Sequence, residues 1–209
     1  MKNFIPKILS RLKYIFLTPQ DQTLGMPLKI SISSDKVNTT FFHGENTQIM
    51  EGSHISDDSI VGANSYIGFN CIVTKTQIGS YVSIANNVAI GLGEHSLDAI
   101  STSSIFYDDP YATLTQLDTN IGPDVWIGQG SVIRRGVSLG LGAAVGALSF
   151  VNKDVPPYAV VAGSPAKIIK YRFNEKQREI LDASKWWECT AEEAKKKFVE
   201  LNKELKAHE

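Results

Sequence analysis

Aliphatic residues recur along this chain at intervals of six: Ile49, Ile55, Val61, Ile67 and Val73, then one residue early Ile78, Ile84 and Ile90. After an interruption the series returns at Ile121, Ile127, Ile133, Leu139, Val145 and Val151. Six is a multiple of two but not of 3.6, so the pattern holds one face of an extended chain and would drift around a helix. The spacing therefore predicts short strands. Four places after each aliphatic residue the side chains are mostly small or β-branched: Ser53, Ser59, Ser65, Cys71, Val82, Val88, Val125, Ser131, Val137, Ala143, Ser149 and Val155. Such a set suits the inside of a narrow prism. Three places after, the chain carries Gly52, Asp58, Asn64, Asn70, Asn87, Gly93, Asp124, Gly130, Gly136, Gly142 and Asp154, with Thr76, Tyr81 and Leu148 as exceptions. Gly, Asn and Asp tolerate a left-handed backbone, so a tight corner is expected once per repeat.

A strand and a corner, repeated, stack into a solenoid in which each coil bonds to the next. With three sides per coil the repeat makes roughly five coils, about 24 Å tall at the sheet spacing. A two-layer β-sandwich is the alternative, and it gives no reason for a strict six-residue period. The expected fold is all-β: a hexapeptide-repeat solenoid over residues 37–170, an N-terminal helical segment over 1–36 and α-helices over 171–209. Val37 and His43 continue the register toward the N-terminus, where the pattern degrades. At the other end Asn174 with Gln177, and Thr190 with Glu193, form capping-box signatures for two helices. Trp186 and Trp187 are expected to anchor the first against the prism, and the charged second helix to face solvent or a neighbouring subunit.

Composition narrows the function. The chain has 209 residues, 43% of them hydrophobic, and a formal net charge of -1, which removes whole-chain electrostatics as a reason to expect nucleic acid. Cys71 and Cys189 have no metal-ligand spacing and fit a reducing, cytoplasmic setting. Residues 1–17 are amphipathic, but Lys2, Lys7, Arg11 and Lys13 interrupt them before the roughly 20 apolar residues of a bilayer span. A helix covering the first layer of the prism is expected there, with weak contact to a membrane surface as the second reading.

Between Gly93 and Ile121 the repeat breaks for an excursion at 94–120. Loops of this length in compact domains are functional or disordered, and Phe106, Tyr107 and Tyr111 point to packing against a neighbouring subunit. At its base stands His95. Neutral imidazole is the side chain best suited to take a proton near physiological pH. Glu94 and Asp98 are both close enough in sequence to orient it, as is a backbone carbonyl.

The runs VSIANNVAIGLGEHSLDAISTSSIFY, IGPDVWIGQGSVIRRGVSLG and VNKDVPPYAVVAGSPAKIIKYRF resemble the hexapeptide-repeat acyltransferases. The resemblance is to the branch holding xenobiotic acetyltransferases and bacterial polysaccharide O-acetyltransferases. It implies a left-handed parallel β-helix, a homotrimer with intersubunit sites, acetyl-CoA as co-substrate, and His95 as catalytic base. By the same resemblance Trp126 lies near the acyl site, while Gln129, Ala147, Asn152, Lys153, Lys167 and Lys170 take positions that bind the cofactor. The polysaccharide branch usually has proline where this chain has Ser96 and Ser104.

The expected function is O-acetylation of a sugar hydroxyl in surface-polysaccharide assembly, with a streptogramin- or chloramphenicol-type acceptor second. An amine on a nucleotide sugar is a third acceptor. A non-catalytic scaffold would release no thiol from acetyl-CoA. A β-helical zinc carbonic anhydrase needs three converging histidines, whereas His43, His54, His95 and His208 contain no close pair, so no metal is expected. The glycines Gly140, Gly142 and Gly146 are accounted for by the hexads and are not a dinucleotide fingerprint.

Overall fold

The computed structural model describes residues 31–32 and 45–208. The amphipathic segment 1–17 and the register positions Val37 and His43 lie outside the described residues. The repeat forms a parallel β-solenoid with three faces. On the first face Ser31–Ile32, Gln48–Ile49, Tyr66–Ile67, Ser83–Ile84, Trp126–Ile127, Ala144–Val145 and Ala159–Ala162 lie in that order. His54–Ile55, Ile72–Val73, Ala89–Ile90, Val132–Ile133 and Phe150–Val151 make the second. The third carries Ile60–Val61, Thr76–Ile78, Thr119–Ile121 and Ser138–Leu139, extended by a bridge from Leu139 to Val155. Five complete coils run from Gln48 to Val155, and Ala159–Ala162 opens a sixth.

The six-residue aliphatic column becomes the axis of the core. Ile49, Ile67, Ile84, Ile90, Ile127, Ile133 and Val145 are all 0% exposed, and each such burial contributes about 1.5–3 kcal/mol relative to exposure. The second inward column holds hydroxyls at no penalty because they are satisfied by neighbouring coils. Ser53 Oγ donates to Gly68 O at 2.6 Å and accepts from Cys71 N at 3.0 Å. Ser131 repeats the arrangement with Gly146 O and Ser149 N, at 2.9 and 3.3 Å. Polar residues inside the prism are therefore stitches between coils.

Eight of the Gly, Asn and Asp positions three after an aliphatic residue adopt positive φ, among them Asn64, Asn70, Asn87, Asp124 and Gly142, whereas Asp58, Gly93 and Asp154 do not. Tyr81 at 62° and Leu148 at 56° join them although neither residue type favours that conformation. At these two corners the closing of the coil imposes the conformation on a side chain that does not favour it. Where the repeat is one residue short, Lys75 takes the corner at φ 46° and Thr76, 0% exposed, fills the inward column.

After the solenoid, Lys167–Tyr171 folds back antiparallel on Ala159–Ala162. Helix α1 (Pro110–Leu114) belongs to the excursion; α2 (Glu175–Ser184) and α3 (Ala191–Lys206) end the described chain. Both expected capping boxes are formed, at Asn174 with Gln177 and at Thr190 with Glu193. The buried Trp186 packs at 5.1 Å from Tyr81 and 4.9 Å from Phe198. Despite its charge, α3 buries Ala194 and Leu201 in a second core with Leu141, Tyr158, Leu181 and Trp186. Its apolar residues share one helical face, and that face decides its packing. Arg172 fastens this cap to the prism through Asp124 at 2.9 Å and Gly142 O at 2.7 Å.

Candidate active site

The excursion leaves the prism after Ala89–Ile90 and returns as Thr119–Ile121, so it emerges at the corner between the second and third faces. Three coils hold it there. Tyr111 on α1 donates to Asp58 of the first coil at 2.9 and 3.1 Å. Lys75 of the second coil donates to Thr115 O at 2.9 Å and lies 3.4 Å from Asp118. Arg135 of the fourth coil is only 6% exposed, and its guanidinium donates to Leu92 O, Leu117 O, Thr74 O and Gly91 O. Burial lowers the Arg135 pKa, with the surrounding acidic groups opposing that shift. Joining Leu92 to Leu117, this one side chain closes the two feet of the loop.

His95 stands just beyond the first foot, with its side chain exposed. Its ring lies 6.2 Å from that of Tyr107, inclined at 42°. Of the two carboxylates considered as its orienting partner, Glu94 turns away: it receives Arg134 Nε at 2.6 Å and Nη2 at 2.7 Å. Among the described residues no hydrogen bond or ion pair joins Asp98 to His95. Arg134 and Arg135 were not singled out from the sequence. Their only signal was two adjacent cations at a repeat corner, which reads as ordinary surface.

The residues implied for cofactor binding fall on two different corners. Gln129 and Ala147 sit between the first and second faces, on adjacent coils, with Leu148 N donating to Gln129 O at 2.8 Å. Gly128 makes their close stacking possible, since a Cβ there would stand 2.5 Å from Ala147 N. Asn152 and Lys153 follow Phe150–Val151 and so share the His95 corner. Trp126 projects from the first face, 53% exposed. Lys167 and Lys170 lie on the exposed reversed strand. One chain therefore brings His95, Asn152 and Lys153 to one edge of the second face, and Gln129 and Ala147 to the opposite edge.

A cleft of about 570 Å³ lies at the remaining corner, between prism and α3, lined by residues including Asp124, Tyr158, Arg172, Trp186 and Phe198. His95 has no part in it. Among the described residues no group of three or more His, Cys, Asp or Glu is placed to hold a metal ion, and no helix is long and apolar enough to cross a membrane.

Comparison with known proteins bears on what this corner does. The bacterial transferase hexapeptide (six repeats) family model matches residues 42–75. A "probable macrolide acetyltransferase" of Lysinibacillus sphaericus is 39% identical over 136 residues, covering 60% of this chain and 76% of the relative. The chain belongs to the hexapeptide-repeat acetyltransferase family. A chloramphenicol acetyltransferase of Klebsiella aerogenes is 39% identical over 135 residues, 59% of this chain and 64% of that one. Galactoside O-acetyltransferase of Escherichia coli K12 is 33% identical over 133 residues, 61% and 62% of the respective chains. The match thus spans somewhat under two thirds of these two family members. Among solved structures, AntD, an N-acyltransferase from Bacillus cereus crystallised with dTDP and 3-hydroxybutyryl-CoA, superposes with a TM-score of 0.56 at 19% identity, over 75% of this chain and 83% of that one. That likeness establishes the shared hexapeptide solenoid.

Proposed function

We propose that this protein is an O-acetyltransferase that moves the acetyl group of acetyl-CoA to a hydroxyl, with His95 as general base. The observation that carries the reading is an exposed imidazole at the foot of a loop pinned to three coils, in a chain of the hexapeptide acetyltransferase family. His95 takes the acceptor hydroxyl proton as the oxygen attacks the thioester carbonyl. It returns that proton to the departing thiolate, so the reaction needs no covalent enzyme intermediate.

The two-corner arrangement supports a homotrimer whose sites lie between subunits. A second copy that sets its Gln129 and Ala147 edge against the His95 edge of the first completes a groove with Trp126 nearby. Lys153, Lys167 and Lys170 supply positive charge for the cofactor phosphates. Exposed Leu97, Ile100, Ile105 and Phe106 on the loop, and Ile72, Val132 and Phe150 on the second face, give the apolar surface that such an assembly covers.

For the acceptor, the relative named galactoside O-acetyltransferase supports a sugar hydroxyl, as expected for surface-polysaccharide assembly. The chloramphenicol- and macrolide-acetylating relatives favour a second reading, an antibiotic alcohol. Thiol release from acetyl-CoA, measured with sugar, nucleotide-sugar and antibiotic acceptors, separates the two. His95→Ala is expected to lower turnover about 10²–10⁴-fold. Retention within about tenfold of wild type overturns the assignment of the base.

A further inference from the structure

The bonds that flank His95 suggest how an exposed side chain is kept in place. The residue before it is held twice. Glu94 N–H donates to Leu114 O at 3.0 Å, and the Glu94 carboxylate receives the fork of Arg134, forty residues further along and on the next coil. The residue after it is held by the loop itself: Ser96 N–H donates to the phenol oxygen of Tyr107 at 3.1 Å, and that hydroxyl reaches Thr102 O at 3.5 Å. The Tyr107 ring also stands beside the imidazole. Among the described residues the His95 side chain itself has no hydrogen-bond partner, so what these bonds hold is the stretch of backbone from which the imidazole projects.

We propose that Arg134 and Tyr107 are positioning residues for His95, fixing the backbone on both sides of the imidazole. This rests on the reading of His95 as the base. A general base must stand within hydrogen-bond reach of the proton it takes, and a displacement of about 1 Å costs on the order of 10² in rate. The Arg134 and Glu94 side chains are 49% and 43% exposed, and such surface pairs add little to global stability. The expected signature is loss of turnover without loss of fold.

The test uses the full-length protein labelled with ¹⁵N-histidine, with Arg134→Gln, Tyr107→Phe and His95→Ala made singly and in pairs. The His95 backbone amide, assigned by its loss in His95→Ala, is expected at an order parameter of about 0.85 in wild type and below about 0.6 in either of the other variants. Thiol release from acetyl-CoA, with chloramphenicol and with a galactoside as acceptors, is expected to show kcat roughly 10- to 100-fold lower in each, with KM for acetyl-CoA within about twofold of wild type. In the His95→Ala background neither change has a further effect. An unchanged order parameter in both variants overturns the proposal even where no acceptor turns over, as does a kcat within about twofold of wild type. Turnover within about tenfold of wild type in His95→Ala instead overturns the base assignment, whatever the order parameters show.

Discussion

The ring of Tyr81 packs 5.1 Å from that of Trp186, and its hydroxyl donates to Cys189 O at 2.7 Å. A corner of the second coil thereby grips the junction between α2 and α3. Tyr81→Phe removes one hydrogen bond and is expected to cost about 1 kcal/mol, while Trp186→Ala empties the second core and costs about 3–5 kcal/mol. Urea denaturation of the two single variants and the double variant checks this. Because Cys189 is held to Trp186 by its own N–H at 3.1 Å, emptying the Trp186 site also loosens the acceptor of the Tyr81 hydroxyl, and the double variant should lose less than the sum.

Leu148 occupies a left-handed corner at φ 56° with its side chain 76% exposed. A left-handed backbone costs a non-glycine residue roughly 1–2 kcal/mol, against about 0.5–1 kcal/mol for the entropy of a glycine. Leu148→Gly is therefore expected to raise stability by about 0.5–1 kcal/mol. A lowered thermal midpoint would instead show that the isobutyl group is covered in the assembled protein.

These corners mark where sequence pattern stops. The aliphatic and small-residue columns were readable because burial in a six-residue coil repeats the same demand at every rung. Tyr81 and Leu148 looked like exceptions because composition reports what a residue tolerates, whereas ring closure of each coil dictates what it adopts. The break in the period drew attention to His95, and only the family resemblance gave it the part of a base. Its surroundings were not legible, because Arg134 meets Glu94 only after a whole coil has wound between them. Arg135 was hidden for a related reason: a cation bonded entirely to backbone carbonyls leaves no complementary acid in the sequence.

Arg135→Met keeps the length of the side chain but takes a donor from four carbonyls, of which Thr74 O keeps a second in the Thr76 hydroxyl at 2.9 Å. A loss of about 2–4 kcal/mol is expected, since buried acceptors left without partners carry their desolvation cost. Limited proteolysis should cut the variant within residues 94–120 well before the prism unfolds, and acetyl transfer should fall with the loop. Resistance equal to wild type would contradict the role given to this guanidinium.

Burial alone would raise the Asp58 carboxyl, but hydrogen bonds from Ser56, Tyr111 and the backbone, with the charge of Lys75, together outweigh it and hold the pKa below its ordinary value. A depressed pKa in the folded state means stability that is fully present above the unfolded value of about 3.9 and is lost as pH falls through the folded value. Asp58→Asn removes that contribution. Urea unfolding of wild type and variant should therefore differ most above about pH 5 and converge in acid. A gap that stayed constant across this range would assign the difference to packing rather than to charge.

The reversed run Lys167–Tyr171 has a consequence for how these molecules coexist at high concentration. Every rung below it offers its upper edge in the same direction, an open template for one more copy of the same motif. By doubling back on the first face, the chain presents a strand of opposite polarity with two lysines, so an incoming parallel rung finds no matching edge there. That face of the prism is guarded against end-on stacking by the strand that closes it.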